Sequence, residues 1–452
     1  MPGATLSPWT MSYFAAACLF LIAGESAMVG GYGYPFAAVE APATLALVHV
    51  VAIGWLGLLM TGALLQFVPV LVAAPLRAGR LALPALALLI PGLLLLVGGF
   101  TALGGAQGVS TAMLPSGALL LAMGFGLAII MLAATLLTVR PLPLPARFVA
   151  VGLGALIAAV LVGGAFTLVL SGTVTNYAAI ALLLKGVPLH AALGLAGWLT
   201  FSAIGVSYRL LPMFMLAPDD TRPTNRAVLW TGAAALAIVV AGIVSIAVDS
   251  DGMEEAGSVA ALLAVFAALL YSADVLRLFR ERRRKIVELN IRASYAAFAA
   301  LFASVVMFAL PATRAAAGEG AAALVYLFVF GWLTGLGLAQ LYKIVPFLTW
   351  LECYGPVLGR TAVPSIQDLV EDKRASLWFF VYYLAVIAAT FSLFAECPGA
   401  FRVATLAQRC ATVGLMVELV RARTLSSVAA PLRLPAGASR PHLFLPISRP
   451  QE

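Results

Sequence analysis

Long apolar stretches alternate with short polar breaks along almost the whole chain. A membrane-spanning helix needs about 20 mostly apolar residues, and twelve stretches of the sequence meet this requirement. Proline or glycine marks most of the breaks, as at Pro42, Pro75 and Gly252. Because the apolar runs are continuous rather than alternating, they predict helices and not the strands of a membrane barrel. The predicted spans are residues 11–30, 44–72, 81–103, 114–138, 147–170, 187–215, 227–248, 257–280, 293–313, 321–350, 375–395 and 398–420.

The composition agrees with this pattern. Of the 452 residues, 63% are hydrophobic and 10% are charged, whereas soluble domains carry about 25% charged residues. So few charges exclude a soluble globular protein, and the apolar content excludes an intrinsically disordered chain. The four cysteines form no CxxC pair, so the sequence indicates neither a zinc site nor a disulfide framework. We predict an all-α polytopic membrane protein with about twelve transmembrane helices.

Basic residues collect on one side of the predicted topology. Lys and Arg number 27 and Asp and Glu 19, giving a net charge of +8. If both termini share one side, as an even number of spans requires, that side holds 21 of the 27 basic residues. The other side keeps Lys185, Arg314, Arg402 and an acidic loop at residues 249–255. The positive-inside rule then predicts cytoplasmic termini in a bacterial inner membrane, with the basic loops facing lipid rather than nucleic acid.

Three segments of the chain align with one another without a gap. They span residues 54–71, 197–214 and 331–348 and read GWLGLLMTGALLQFVPVL, GWLTFSAIGVSYRLLPMF and GWLTGLGLAQLYKIVPFL. Each begins with Gly-Trp-Leu and carries a proline fifteen residues after the glycine. Convergent composition is the alternative explanation, but three of the seven tryptophans of the chain occupy this one slot. The alignment therefore indicates an internal repeat.

The repeat predicts three similar groups of four helices, arranged with pseudo-threefold symmetry. Each aligned segment lies in the second helix of its group, so the groups begin on the same side of the membrane. The predicted boundaries are residues 1–145, 146–286 and 287–425. A cytoplasmic tail, residues 426–452, is rich in proline, arginine and serine and is expected to be disordered.

A histidine precedes two of the three Gly-Trp pairs. The second span reads His49-Val-Val-Ala-Ile-Gly-Trp55, and the sixth reads His190-Ala-Ala-Leu-Gly-Leu-Ala-Gly-Trp198. Together with three groups of four helices and cytoplasmic termini, this arrangement resembles subunit I of the heme-copper oxidases and nitric oxide reductases. It is also similar, more distantly, to the NnrS family of haem- and copper-containing membrane proteins. The resemblance implies a role in respiration, nitric oxide handling or metal delivery, with partners in a membrane or respiratory complex.

The chain departs from the oxidase pattern in its histidines. Those enzymes hold their haems and copper with a larger set, and the histidines of their tenth helix are central to it. This sequence has three histidines in all, and its tenth span has Leu324 and Tyr326 at the positions aligned with His190 and His49. A binuclear oxygen-reducing centre therefore cannot form in the known way. We do not expect the chain to reduce oxygen, and no catalytic residue is predicted.

Three ionisable groups fall at a similar depth in the predicted periplasmic half: His49, His190 and Glu25. Ionisable side chains in hydrocarbon are costly and usually face the bundle interior or a cavity. Imidazole is a common ligand of haem iron and copper. The resemblance therefore implies a haem b or a copper ion on one or both histidines, with Glu25 orienting a ring. Alternatively, each histidine hydrogen-bonds a neighbouring helix and binds nothing.

A polar residue precedes each repeat proline by three positions: Gln66, Arg209 and Lys343. Two interpretations stay open for the two cationic members. Their side chains extend to the cytoplasmic interface, or they form a polar inner ring that contacts a haem propionate, a lipid headgroup or a proton path. The repeat tryptophans lie in mid-helix, which favours close packing at the centre of the three groups.

Two further functions stay open beside the cofactor hypothesis. The first is a cofactor-free transporter or permease, since parallel repeats occur in transporters, although no matched pair of broken helices is evident. The second is a structural or assembly subunit of a larger membrane complex. The sequence alone does not choose among the three.

Overall fold

The computed structural model describes residues 9–218, 222–248, 254–310 and 319–442 of the chain. These residues include twelve helices that are long and apolar enough to cross a membrane, and they contain no β-strand. The predicted all-α polytopic membrane protein is therefore confirmed. The helices, labelled α1 to α12 in chain order, are Thr10–Val29, Pro42–Val72, Gly79–Leu103, Met113–Leu136, Leu144–Leu170, Tyr177–Met215, Pro223–Ala247, Ala256–Arg280, Leu289–Ala309, Gly320–Val357, Asp372–Phe394 and Pro398–Arg423.

Helix α6 begins well before the predicted span at residue 187. Its first residue is Tyr177, and Asn176 caps it by accepting a hydrogen bond from the backbone N–H of Ala179 at 2.8 Å. Lys185 lies inside this first part of the helix. The charge interrupts the apolar run, so the hydropathy pattern reveals only the second part of α6.

Many helices that follow one another in the sequence also pack against each other, and the last helix packs against the first. Helix α3 packs on α4, α7 on α8 and α11 on α12, while α4 meets α5 and α8 meets α9. Helices α2, α6 and α10 meet one another on the inside. Helix α1 packs against α12, so the first and last membrane helices are neighbours. The division into three groups of four stays a prediction, because these contacts do not define group boundaries.

Glycine allows a very close approach between α3 and α4. A Cβ added to Gly117 of α4 would lie 2.6 Å from the backbone nitrogen of Leu96 in α3. Any side chain at this position would therefore push the two helices apart. Small residues serve this purpose widely in membrane bundles, where backbone proximity maximises van der Waals contact.

The repeat prolines lie inside the three inner helices. In α2 the carbonyl of Pro69 accepts from the backbone N–H of Ala74 at 3.1 Å, and in α6 that of Pro212 accepts from Ala217 at 3.0 Å. Each donor follows a residue in the left-handed region. Helices α2 and α6 thus end in the same way, whereas α10 continues past Pro346 for three further turns.

The chain after α12 packs back onto α10. Arg423, 6% exposed, donates from Nη1 to Glu352 Oε2 at 2.8 Å and from Nη2 to the carbonyl of His442. The hydroxyl of Tyr354 donates to the carbonyl of Arg433 at 2.8 Å. A small apolar cluster joins the two elements and consists of Cys353, Tyr354, Leu369, Leu425 and Val428.

This packing differs from the expected disordered tail. Leu425 and Val428 supply apolar side chains that pack this segment against α10. The high content of proline, arginine and serine gave no indication of this packing. Residues 443–452 lie outside the described residues. So do Arg314 and residues 249–253 of the predicted acidic loop.

Candidate functional site

Helices α2, α6 and α10 each change from α-helical to π-helical hydrogen bonding around their Gly-Trp pair. The π-helical segments are Val50–Gly57, Leu193–Thr200 and Leu327–Thr334. Each has eight residues, starts four residues before the glycine and ends three residues after it. π-Helical turns are rare and occur frequently at functional sites. The three aligned segments therefore share a backbone feature that residue spacing alone did not reveal.

The repeat tryptophans are buried among the inner helices and the helices next to them. Trp55 and Trp332 are fully buried, and Trp198 is 4% exposed. The indole Nε1 of Trp55 donates to Oγ1 of Thr334 in α10 at 2.9 Å. The ring of Trp198 meets Phe125 of α4 edge-on, with centroids 5.3 Å apart. These contacts agree with the predicted close packing of the tryptophans.

A cavity of about 100 Å³ lies between α2, α6 and α10. Its wall includes the residues 2, 6, 9 and 13 positions after the glycine of each aligned segment. Ser207 and Gln340 are the polar residues of a wall that is otherwise apolar. Neither His49, His190 nor Glu25 lines it. The residues at the four shared positions are Leu56, Met60, Ala63, Phe67, Leu199, Ala203, Val206, Leu210, Leu333, Gly337, Gln340 and Ile344.

The polar repeat residues Gln66, Arg209 and Lys343 do not line this cavity. The Nζ of Lys343 lies 2.6 Å from Oε2 of Glu288, just before α9, and Glu288 also pairs with Arg284 at 2.6 Å. Arg209 is exposed, which suits extension of its side chain to the interface. Gln66 is half-buried. The three residues therefore do not surround a common space between the inner helices.

His49 is the last α-helical residue of α2 before the π-helical segment. Its Nδ1 lies 2.7 Å from the carbonyl oxygen of Leu45, one helical turn earlier. Because a carbonyl oxygen only accepts, Nδ1 carries a proton in this contact, and the neutral ring keeps its lone pair on Nε2. The imidazole packs on Phe100 of α3, with centroids 5.1 Å apart. His49 thus offers Nε2 as a ligand.

His190 lies in α6, three residues before its π-helical segment. Gly163 of α5 makes room for the ring, since an added Cβ would lie 2.9 Å from Cε1 of His190. Phe166 meets the imidazole edge-on, with centroids 5.5 Å apart. The Nδ1 of His190 is buried and has no hydrogen-bond partner, while the ring bonds the backbone of Ala159. His190 is also close enough to His49 for the two side chains to interact electrostatically.

Glu25 is fully buried, but its hydrogen bonds go to α12 rather than to the histidines. Gln408 Nε2 and Thr412 Oγ1 both donate to Glu25 Oε1, each at 2.9 Å. The other oxygen, Oε2, is buried and has no partner. The structure therefore places His49 and His190 within electrostatic range of each other and Glu25 in a separate hydrogen-bonded cluster.

Tyr326 belongs to the Glu25 cluster. Its hydroxyl donates to Gln408 Oε1 at 2.5 Å, and both side chains are buried. Tyr326 occupies the slot of α10 that aligns with His49 of α2, directly before the π-helical segment. Sequence reasoning noted Tyr326 only as a missing histidine. The sequence does show Tyr326 and Gln408 as polar residues within apolar spans, but it does not indicate that the two side chains contact each other.

A second buried polar cluster lies among α6, α7 and α8. Asp274 of α8 is 1% exposed and accepts from the hydroxyls of Tyr208 at 2.9 Å and Thr224 at 2.8 Å. Arg277 approaches it to 4.0 Å. The cluster ties three helices together at the end of α8 where the arginine-rich run begins.

The sequence predicts two metal ligands, and the structure places no third one beside them among the described residues. Over residues 9–218, 222–248, 254–310 and 319–442, no three His, Cys, Asp or Glu side chains group closely enough to hold a metal ion. His49 and His190 form the pair that remains.

Comparison with known proteins identifies the fold. No protein-family model matches the chain, and no curated protein matches it. Among solved structures, a chain of a heme-copper terminal oxidase dimer, determined by cryo-EM, is similar with a TM-score of 0.56. The similarity covers 97% of this chain and 86% of that chain, at 13% sequence identity. The chain therefore has the fold of a heme-copper terminal oxidase chain, and the expected resemblance in fold is confirmed.

Proposed function

We propose that this integral membrane protein binds one haem b or one copper ion through His49 and His190 and does not reduce oxygen. The observation that carries the proposal is the histidine pair itself. The two imidazoles come from different helices, lie within electrostatic range of each other, and include a buried nitrogen without a partner. The oxidase-like fold supports the proposal, because it is a scaffold on which metal centres are built.

Each imidazole has one nitrogen that suits a metal ion. The hydrogen bond from His49 Nδ1 to Leu45 leaves Nε2 free and fixes the ring, an arrangement typical of metal-binding histidines. The Nδ1 of His190 is buried without a hydrogen bond, and a bound metal would satisfy it. Imidazole is a common ligand of both haem iron and copper. Either group would supply a metal that exchanges one electron.

Oxygen reduction is left out of the proposal because the histidine set is small. The chain has three histidines, and the backbone of the third, His442, bonds Glu352 in the C-terminal segment. The positions of α10 aligned with His190 and His49 hold Leu324 and Tyr326. Such a protein would suit electron transfer, nitric oxide binding or metal delivery, each with a partner in a membrane complex.

The proposed site lies in the periplasmic half of the membrane. This placement rests on the charge asymmetry of the loops, from which we infer cytoplasmic termini and a bacterial inner membrane. It also rests on three groups of four helices at residues 1–145, 146–286 and 287–425, each with its Gly-Trp segment entering from the periplasmic side.

Purification from haem- and copper-replete cells tests the proposal. We expect a metal-to-protein ratio near unity for iron or copper, measured together with the visible spectrum of the oxidised and reduced protein. His49→Ala should abolish binding, and His190→Ala should weaken it or shift the spectrum. His442→Ala is the matched control, because it removes the third histidine of the chain, and it should leave binding unchanged.

A colourless and metal-free wild-type protein would overturn the proposal. Equal metal content in the His49→Ala variant and the wild type would overturn it as well. Either result would favour a cofactor-free transporter or an assembly subunit, in which the histidines only join helices.

A further inference from the structure

Glu25 is a carboxyl group inside the membrane bundle without a cationic partner. It lies in α1, four residues before the end of the helix at Val29, and its side chain is 0% exposed. Within the described ranges, the ion pairs at distances up to 4.0 Å involve other carboxylates. Arg409 of α12 acts on Glu25 electrostatically from beyond that distance. An ionised carboxylate in such a place is unfavourable, since the side chain is fully buried and no cation lies close enough to pair with it among the described residues.

The hydrogen bonds of Glu25 are divided unequally between its two oxygens. Oε1 accepts twice, from Gln408 Nε2 and Thr412 Oγ1, whereas Oε2 has no partner although it is buried. A carboxylate would present two equivalent acceptors. A neutral carboxylic acid has one accepting carbonyl oxygen and one hydroxyl oxygen. A neutral acid with Oε1 as its carbonyl oxygen accounts for this division, and the hydroxyl group on Oε2 then has no acceptor among the described residues.

The titratable groups that face Glu25 neither pair with it nor donate a hydrogen bond to Oε2. Tyr326 of α10 and Tyr382 of α11 interact with it electrostatically. The hydroxyl of Tyr326 donates to Gln408, and that of Tyr382 donates to the carbonyl of Phe330 at 2.7 Å. Neither hydroxyl is directed at Oε2. Arg409 lies beyond ion-pair distance, so Glu25 is a carboxyl group of this cluster that no cation pairs with among the described residues.

We propose that Glu25 is a proton-binding site within the membrane, with an exchangeable proton on Oε2. Gln408 and Thr412 hold Oε1 and so position the carboxyl group. Loss of the proton leaves a buried carboxylate, and uptake restores the neutral acid. The proposal does not depend on the metal ion proposed for His49 and His190, because the two clusters share no hydrogen bond.

Labelling with dicyclohexylcarbodiimide tests this proposal on the full-length protein in mild detergent. This apolar reagent adds to a protonated carboxyl group, and rearrangement gives a stable adduct that retains all atoms of both reactants. We expect one adduct, mapped to Glu25 by mass spectrometry, and a labelling rate that falls as the pH is raised. Glu25→Gln should lose the adduct.

Glu418 provides the matched control. Its side chain is 4% exposed, but it pairs with Arg374 at 3.1 Å, a cationic partner of the kind that Glu25 lacks among the described residues. Glu418→Gln should keep the adduct on Glu25. His49→Ala and His190→Ala should keep it too, so that failure of the metal proposal and failure of this one are distinguishable.

Infrared spectroscopy gives a second measurement that does not depend on the reagent. The wild type should show the carbonyl band of a protonated carboxylic acid, which shifts in heavy water and is absent from Glu25→Gln. An unlabelled Glu25 without this band would overturn the proposal. Protection of Glu25 from labelling by sodium ions at constant pH would overturn it as well, since a metal cation would then occupy Oε2.

Discussion

Trp55 of α2 donates a hydrogen bond of 2.9 Å to Thr334 of α10, and both side chains are fully buried. Trp55→Phe keeps an aromatic ring but removes the donor. We expect a loss of unfolding free energy of about 1 kcal/mol, the usual net value of one hydrogen bond. Trp198→Phe is the matched control, because Nε1 of Trp198 has no partner. Thermal unfolding in detergent should rank Trp55→Phe as the less stable variant, and an equal or reversed ranking would contradict the assignment.

The cavity between α2, α6 and α10 has room for a larger side chain. Ala203→Leu places three more carbon atoms against a wall that is mostly apolar, so we expect the midpoint of thermal unfolding to stay or rise. Gly117→Ala is the contrasting change, since its Cβ would lie 2.6 Å from the backbone nitrogen of Leu96. Overpacking of this kind costs about 1–3 kcal/mol. A larger loss for Ala203→Leu than for Gly117→Ala would show that the cavity is absent.

Gly163 controls the position of His190. Gly163→Ala brings a methyl group to 2.9 Å from Cε1 of His190, so the ring must move. We expect lower metal content or a shifted visible spectrum, measured on the purified variant. Gly164→Ala is the neighbouring control, because its added Cβ meets nothing within 4 Å. Identical metal content and spectra for both variants would show that His190 does not bind the metal.

Cys397 reports on the orientation of the chain. It is exposed and directly precedes α12, whereas Cys353 is buried. If the termini are cytoplasmic, a charged maleimide added outside intact spheroplasts should label Cys397, and Cys397→Ser should remove the signal. Cys410 is exposed too, but it lies in the middle of α12, where a charged reagent does not reach. Labelling that requires permeabilised cells would reverse the proposed topology.

The twelve helices could be predicted from the sequence because each apolar run specifies its own span. The partners of polar side chains could not. Adjacent residues of an α-helix point about 100° apart, so a small rotation of a helix decides what a buried group meets. Glu25 was expected beside the histidines at the same depth, yet it bonds Gln408 and Thr412.

The π-helical segments could not be predicted from the sequence either. Their register with the Gly-Trp pairs is the same in all three inner helices, but no residue type specifies π-helical hydrogen bonding. The relative position of His49 and His190 depends on how α2 and α6 are rotated about their axes, and the spacing of apolar residues does not specify this rotation. The histidines themselves could be identified from the sequence, because each lies in a predicted span shortly before a Gly-Trp pair.

The contact between α1 and α12 also sets an order of events during synthesis. Glu25 leaves the ribosome 383 residues before Gln408, its donor in the finished protein. At about 5–20 residues per second, this interval is roughly 20–80 s. During that time α1 must enter the membrane with an acidic group that has none of its final partners. A nascent chain of this kind needs either a holding site in the insertion machinery until α12 arrives or a neutral carboxyl group that allows α1 to enter lipid earlier.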